Sequence, residues 1–195
     1  MLRRGRLFAV AVLVAASSCR VSQPSNYSLL PARAQGRVQP YAAGAWADSV
    51  VQELTAADVR ALSREHAYTW VVTWAPWCEP WQRHAEQFKE YQRRLADRDI
   101  NLVFVDIAYS PATASGANAS LRGNRPAYVV NGRRYGPGAD VKFRQELAGA
   151  SPQPSRVRYA AHFVLNRQQQ VVLIAKEPAL VFERLRAATG PPATP

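Results

Sequence analysis

Residues 74–81 read Trp-Ala-Pro-Trp-Cys-Glu-Pro-Trp and join an apolar run to a helical one. The preceding run, 68–74, is rich in β-branched and aromatic residues, which predicts a buried strand. Glu79 and Pro80 suit the first turn of a helix, because the acid meets the positive helix end and proline needs no amide partner there. The stretch therefore predicts a strand, a short turn that carries Cys78, and a helix.

An amphipathic helix should follow this turn, with a second apolar strand after it. Trp81, Phe88 and Leu95 recur at helical spacing, with charged residues on the other faces, and the pattern ends near Asp97. Residues 100–108 are again apolar and lie close enough to the helix end for a right-handed parallel crossover. These three elements predict a βαβ unit.

The rest of the chain predicts a loop, a short strand, a helix, a β-hairpin and a terminal helix. In that order the segments are 110–126, 127–130, 139–147, 159–165 paired with 171–175, and 178–188. The polar residues between the two hairpin strands are of hairpin length.

This order of elements, together with the Trp-Ala-Pro-Trp-Cys-Glu-Pro stretch, resembles the thioredoxin-like superfamily. More narrowly, it resembles TlpA/ResA-like envelope proteins, in which a strand ending Trp-Ala-x-Trp-Cys leads into the active-site helix. The resemblance spans roughly residues 50–190. It implies an α/β fold, a central mixed β-sheet flanked by helices.

The resemblance also assigns roles to the motif Trp77, Cys78, Glu79, Pro80 and Trp81. Cys78 is the candidate catalytic nucleophile, because backbone amides and the helix dipole stabilise a thiolate at a helix N-terminus. A second cysteine three residues later resolves the mixed disulfide in the family. Trp81 occupies that position here, so the active site is degenerate and dithiol chemistry is not expected.

Two further parts of the family's active site differ in this chain. The buried acid six residues before the nucleophile is replaced by Val72, as in many envelope members. When Phe163 is aligned with the family's hairpin strand, Ala160 falls where a cis-proline is usual, and Tyr159 and Ala160 form the substrate-facing loop. A cis bond before a residue other than proline costs about 3 kcal/mol, so a trans bond is expected at Ala160.

Two interpretations of Cys78 remain open. The cysteine could act as a single-thiol nucleophile, or it could be retained without reactivity in a repurposed fold. Peroxidase chemistry would need a threonine two or three residues before the cysteine, and Thr73 lies too far upstream. Among the nearby tryptophans, Trp74 and Trp81 fit core positions, whereas Trp77 fits an exposed loop.

The N-terminus has the anatomy of a bacterial signal peptide. Residues 1–18 combine a basic start with an apolar run too short to span a bilayer. The sequence Ala16-Ser17-Ser18-Cys19 resembles a lipobox, which predicts lipidation of Cys19 and a membrane anchor. Ordinary signal cleavage, giving a freely secreted protein, is the alternative. Arg20 rather than aspartate after the cysteine favours the outer membrane over the inner one, on the periplasmic side.

Composition and length predict one folded domain with tails. The chain has 195 residues, of which 48% are hydrophobic and 20% charged, which excludes a highly charged disordered chain. The predicted organisation is a signal peptide at 1–18, a flexible lipid-anchored linker at 19–45, a thioredoxin-like domain at 46–190 and a disordered tail at 191–195. If Cys19 is acylated, Cys78 is left without an intramolecular disulfide partner.

Charge and histidine placement exclude several classes of ligand. The formal charge of +11 suits anionic lipid head groups or acidic envelope polymers, or simply a solvated basic surface, and no nucleic-acid motif is visible. His66, His84 and His162 are dispersed, so no metal site and no cofactor are expected. The sequence therefore predicts an accessory or binding protein of the cell envelope with a protein partner. A single-cysteine thiol-disulfide oxidoreductase is the alternative.

Overall fold

The helices and strands are given by a computed structural model, which describes residues 32–43, 50–75, 79–108, 127–149 and 157–190. In chain order they are α1 (Ala32–Gln35), β1 (Val38–Pro40), β2 (Val51–Leu54), α2 (Ala56–Ser63), β3 (Tyr68–Trp74), α3 (Glu79–Leu95), β4 (Ile100–Asp106), β5 (Ala127–Val130), α4 (Gly132–Tyr135), α5 (Ala139–Ala148), β6 (His162–Asn166), β7 (Val171–Ala175) and α6 (Pro178–Ala188). Within these ranges, no helix is both long and apolar enough to cross a membrane.

The strands form one mixed sheet in the order β1-β2-β5-β4-β3-β6-β7. The first five strands in this order, β1, β2, β5, β4 and β3, pair in parallel with their neighbours. The strand β6 pairs antiparallel with β3 on one edge and with β7 on the other. The β3-α3-β4 crossover and the β6-β7 hairpin followed by α6 confirm the predicted order of elements. The fold is α/β and thioredoxin-like.

Helices cover both faces of the sheet because β3 and β4 are apolar on both sides. One cluster contains the inner faces of α2 and α5, including Val59 and Phe143, together with Val71 from β3. The other contains the inner faces of α3 and α6, together with Trp70 and Phe104 from the sheet. A strand that is buried on both faces reads as a continuous apolar run, which is how residues 68–74 read in the sequence.

The sheet begins earlier in the chain than the sequence predicted. Residues 19–45 were assigned to a linker, but β1 lies in that range and pairs in parallel with β2, with Val38 buried. Strands of three and four residues offer too few positions for a periodic pattern, and β2 buries the polar residues Gln52 and Glu53. Helix α2 was also missed, although Thr55 forms a capping box with Asp58 at its start.

The first strand of the hairpin begins later than predicted. It was expected at residue 159, but β6 starts at His162, and residues 157–158 form a helical turn instead. The amide of Ala160 donates to the carbonyl of Val157 at 3.2 Å, which closes this turn. Because the apolar run includes the turn, the sequence pattern alone could not separate the two.

His162 is a titratable side chain buried in the core beside α3. It is 4% exposed, and its Nδ1 accepts a hydrogen bond from the Trp70 indole at 3.4 Å. The ring also lies 5.9 Å from that of Phe88. Burial is the main cause that lowers the pKa of His162 from 6.5 to about 3; the charge of His84 acts in the same direction, and a backbone hydrogen bond at Lys176 opposes both. The imidazole is therefore neutral in the folded protein.

This buried imidazole predicts a loss of stability in mild acid. Because the folded-state pKa is depressed to about 3, the unfolded chain takes up a proton below pH 6.5 that the folded chain does not. Stability is then lost as the pH falls from 6.5 towards 3, by about 2 kcal/mol between pH 7 and pH 5. Chemical unfolding of the wild-type protein at these two pH values measures the loss.

His162→Asn should remove most of that dependence, since its amide oxygen can still accept from Trp70 but does not titrate in this range. His66→Asn, at an exposed histidine, is the matched control and should retain the dependence. Equal pH dependence in both variants would contradict the assignment.

Candidate functional site

The motif predicted to carry the chemistry lies where β3 leads into α3. Pro76, Trp77 and Cys78 are outside the described residues, and α3 begins at Glu79 as the sequence predicted. The backbone of Pro80 and Trp81 continues this first turn, while their side chains are outside the described part of the chain. The position that holds the second thiol in the family is thus the third residue of the helix, and here it is a tryptophan.

The end of β3 is tied to the segment that precedes β6. Thr73 donates its amide proton to the carbonyl of Ala161 at 2.8 Å. Its hydroxyl is also within hydrogen-bond distance of two carbonyl oxygens, that of Ala161 at 3.2 Å and that of Ala160 at 3.4 Å. The predicted substrate-facing loop and the strand leading to Cys78 are therefore neighbours, held together through one threonine.

Hydrogen bonds within the fold satisfy the backbone groups of Ala160 and Ala161. The amide of Ala160 donates to Val157 at 3.2 Å, and that of Ala161 donates to Ala175 at 3.2 Å. Both carbonyls accept from Thr73, and the carbonyl of Ala160 also accepts from the Arg144 guanidinium at 3.4 Å. No cis peptide bond occurs among the described residues, so Ala160 has the trans bond expected of an alanine. The backbone amides and carbonyls of Ala160 and Ala161 therefore all take part in hydrogen bonds within the fold.

Arg144, on α5, donates a hydrogen bond to the segment that precedes β6. The residue is 9% exposed, and its guanidinium pairs with Asp140 at 2.7 Å, one helical turn earlier. Burial lowers the pKa of Arg144, while the charge and the hydrogen bond of Asp140 raise it. A buried cation with a carboxylate partner and a carbonyl acceptor forms a rigid support for the residues that precede β6.

The two residues assigned to the substrate-facing loop have opposite environments. Tyr159 is 63% exposed, whereas Ala160 is buried. Trp74 is buried as predicted, and Val72, at the position of the family's acid, is buried and pairs with His162.

Asp106, at the end of β4, is a buried carboxyl that the sequence interpretation overlooked. It is 1% exposed and lies opposite Trp74 in the β3-β4 register. Its Oδ1 accepts from the amide of Ala108 at 2.6 Å, and its Oδ2 has no hydrogen-bond partner among the described residues. Burial raises the pKa of Asp106 well above its usual value, and the bond from Ala108 lowers it only in part. The carboxyl therefore tends to keep its proton.

The position of Asp106 relates it to the start of α3. Side chains alternate along β4, so Asp106 lies on the same sheet face as Leu102 and Phe104, whose cluster contains the inner face of α3. In the sequence, Cys78 is four residues beyond Trp74, the residue opposite Asp106. An acid inside the run Val-Phe-Val-Asp-Ile-Ala was the signal that could have identified this residue, because aspartate is rarely buried without a partner.

The histidines do not assemble a metal site in the described part of the chain. His66 is exposed and pairs with Asp99 at 3.0 Å, far in sequence from the motif. The Oε1 of Gln87 accepts a hydrogen bond from the Nδ1 of His84 at 2.8 Å along α3. Within the described ranges, no group of three or more His, Cys, Asp or Glu residues could hold a metal ion.

Comparisons with known proteins identify similar folds. No protein-family model and no curated protein matches the sequence. Among solved structures, the thioredoxin domain of a thiol-disulfide oxidoreductase from Bacteroides vulgatus is 10% identical, with a TM-score of 0.47 over 65% of this chain and 82% of that one. A thioredoxin-family thiol:disulfide interchange protein from Chlorobium tepidum is 13% identical, with a TM-score of 0.46 over 66% and 83%.

A third solved structure, of a thioredoxin-like protein in its oxidised form, is 16% identical, with a TM-score of 0.48 over 78% of this chain and 95% of that one. All three are thioredoxin-fold proteins. At these TM-scores they carry nothing about the activity of this chain, and its own contacts decide what is proposed below.

Asp106 gives a testable prediction about stability. Because its folded-state pKa is raised, the contribution of Asp106 to stability is most favourable below the unfolded value of 3.8 and is lost as the pH rises above that value. Asp106→Asn should therefore raise the thermal midpoint at pH 7, by about 2–4 °C for each kcal/mol of desolvation that is relieved. The difference from wild type should shrink as the pH falls towards 4.

Asp99→Asn is the control for this measurement. The hydrogen bond from His66 lowers the pKa of Asp99, which is exposed, so the loss of its charge should not stabilise the protein. A wild-type protein at least as stable as Asp106→Asn at pH 7 would contradict the buried, protonated carboxyl.

Proposed function

We propose that this chain is a membrane-anchored thioredoxin-fold accessory protein of the cell envelope, which binds a partner protein and performs no dithiol exchange. The observation that carries the proposal is the internal use of every backbone amide and carbonyl of Ala160 and Ala161. Segments at this place in thioredoxin-like proteins present backbone to substrate. Here the same backbone stabilises the fold.

The absence of a resolving thiol supports the same conclusion. A mixed disulfide at Cys78 is released within the molecule only if a second thiol can attack it. The residue at the family's position is Trp81, and the other cysteine, Cys19, is the proposed lipidation site. A catalytic cycle would therefore need an external thiol at every turnover.

The proposed location rests on the N-terminal sequence. A basic start, a short apolar run and a lipobox-like Ala16-Ser17-Ser18-Cys19 support export and lipidation on the periplasmic side, with the outer membrane favoured. Intact mass of the membrane-extracted protein separates a chain acylated at Cys19 from an unmodified secreted one.

Insulin reduction tests the proposed lack of dithiol activity. With excess dithiothreitol, the wild-type protein should give the rate of the uncatalysed reaction, because it has neither a resolving thiol nor an open substrate-pairing backbone. Cys78→Ser is the matched control and should give the same rate as wild type. Turnover above background that disappears in Cys78→Ser would overturn the proposal.

A single-cysteine thiol-disulfide exchange activity is the second candidate, and Asp106 is the observation that favours it. A buried carboxyl that keeps its proton, next to the strand that leads to the cysteine, is typical of sites that move protons. In such a step the Cys78 thiolate forms a bond to one sulfur of a disulfide, and the other sulfur leaves as a thiolate. A small external thiol then attacks the mixed disulfide and restores Cys78.

The pH dependence of Cys78 alkylation separates the two candidates. The accessory function predicts an iodoacetamide profile with a midpoint near the unperturbed ~8.5, unchanged in Asp106→Asn. An activated thiol would instead give a midpoint well below this value, and a shift on Asp106→Asn would show that the two groups are coupled. A midpoint well below ~8.5 in the wild type would replace the accessory function with the exchange activity.

A further inference from the structure

Two cations converge on one exposed aromatic ring in the turn before β6. The guanidinium of Arg158 lies 5.8 Å from the ring centroid of Tyr159, and the ammonium of Lys176 lies 5.7 Å from the same centroid. All three side chains are exposed. We call these three residues the Tyr159 patch.

The cations of the Tyr159 patch have no carboxylate partner among the described residues. Exposed arginines elsewhere do have one, for example Arg93 with Glu90 at 2.7 Å and Arg186 with Glu183 at 2.9 Å. Asp140 does not compensate the charge of the patch, since it is already paired with Arg144. The charge of Arg158 in fact contributes to lowering the pKa of Arg144.

The arrangement places two positive charges without a carboxylate partner among the described residues beside one flat aromatic surface. Two like charges held within reach of one ring repel each other, and a bound anion would relieve this repulsion. The ring adds an apolar surface with a hydroxyl at its rim, which suits a side chain better than a bare ion. Charge and shape together favour a ligand that has both a carboxylate and an apolar part.

We propose that the Tyr159 patch is a docking surface for an acidic segment of a partner protein. This proposal rests on the proposed accessory function and names the chemistry of the partner that the chain binds. Tyrosine and arginine are the residues that carry much of the binding energy at protein interfaces. Anionic membranes are recognised by clusters of roughly four to eight basic residues, and the patch has two.

The position of the patch agrees with such a role. Ala160, the next residue, is fixed to β3 through Thr73 and to α5 through Arg144. Lys176 directly follows β7, which pairs with β6. A docking surface on these rigid supports loses little conformational freedom on binding.

Fluorescence anisotropy with the full chain tests the docking surface. The probe is a short fluorescein-labelled peptide of alternating Glu and Ser, and the matched peptide has Gln in place of Glu. The double variant Arg158→Gln with Lys176→Gln should weaken binding of the Glu peptide about tenfold, which is about 1.4 kcal/mol for the loss of two exposed ion pairs. Adding Tyr159→Ala to the double variant should weaken binding of the Glu peptide further. Added salt should weaken binding of the Glu peptide to the wild type.

The control double variant, Lys89→Gln with Arg184→Gln, removes the same amount of positive charge from α3 and α6, outside the Tyr159 patch. It should bind the peptide as the wild type does. Equal weakening in the two double variants, or equal wild-type affinity for the Glu and Gln peptides, would overturn the proposal.

A second arm uses vesicles of phosphatidylglycerol in phosphatidylcholine. Vesicle binding that is lost in the patch variant while peptide binding is retained would assign the patch to lipid and overturn the proposal. Because these readouts do not involve Cys78, thiol turnover in the insulin assay would overturn the accessory function and leave the measured peptide binding unchanged.

Discussion

The hydrogen bonding of β3 on both of its edges is the constraint on which the rest of the described structure depends. The strand pairs in parallel with β4 and antiparallel with β6, and its residues from Thr69 to Trp74 are buried. Both faces must therefore be covered, which requires helices on either side. The aromatic packing of Trp70 with α3, 5.7 Å from the Phe88 ring, follows from that requirement.

The last two residues of β3 position both unusual features of the candidate site. Thr73 holds the carbonyls of Ala160 and Ala161, so the residues before β6 are part of the core hydrogen bonding. Trp74 lies opposite Asp106, so a buried carboxyl sits at the same end of the sheet. The segment predicted to face a substrate is held by hydrogen bonds within the fold, while one oxygen of Asp106 has no hydrogen-bond partner among the described residues. The first feature favours binding without catalysis, and the second is the physical basis for the alternative.

The long apolar runs made most of the fold predictable. Residues 68–74 form a continuous apolar run and residues 79–95 follow a helical period, and the structure places a strand and a helix there. β1 and β2 were not predictable in this way, since they are short and take their stability from pairing with distant strands rather than from their own pattern.

The candidate site was less predictable than the fold, for a different reason. The sequence identified Cys78 and Ala160 by their positions relative to a family motif, but it does not contain the hydrogen bonds that satisfy a backbone. The roles of Thr73 and Arg144 depend on their contacts with Ala160. Thr73 is 87 positions from Ala160 along the chain, and Arg144 is 16 positions from it. Asp106 is recognisable in the sequence as an acid in an apolar strand. That its Oδ2 lacks a hydrogen-bond partner among the described residues depends on the packing around it, which the sequence does not contain. Pairings of this kind are set by tertiary structure.

Amide hydrogen exchange at residues 73, 160 and 161 tests the central claim most directly, because it reports whether the backbone before β6 is used within the fold. We predict that the amides of Thr73, Ala160 and Ala161 exchange slowly, like those of core strands, and that a disulfide-containing peptide leaves their rates unchanged. Rapid exchange of the Ala160 and Ala161 amides, with protection that appears only when the peptide is added, would contradict the account and indicate an open substrate-pairing loop.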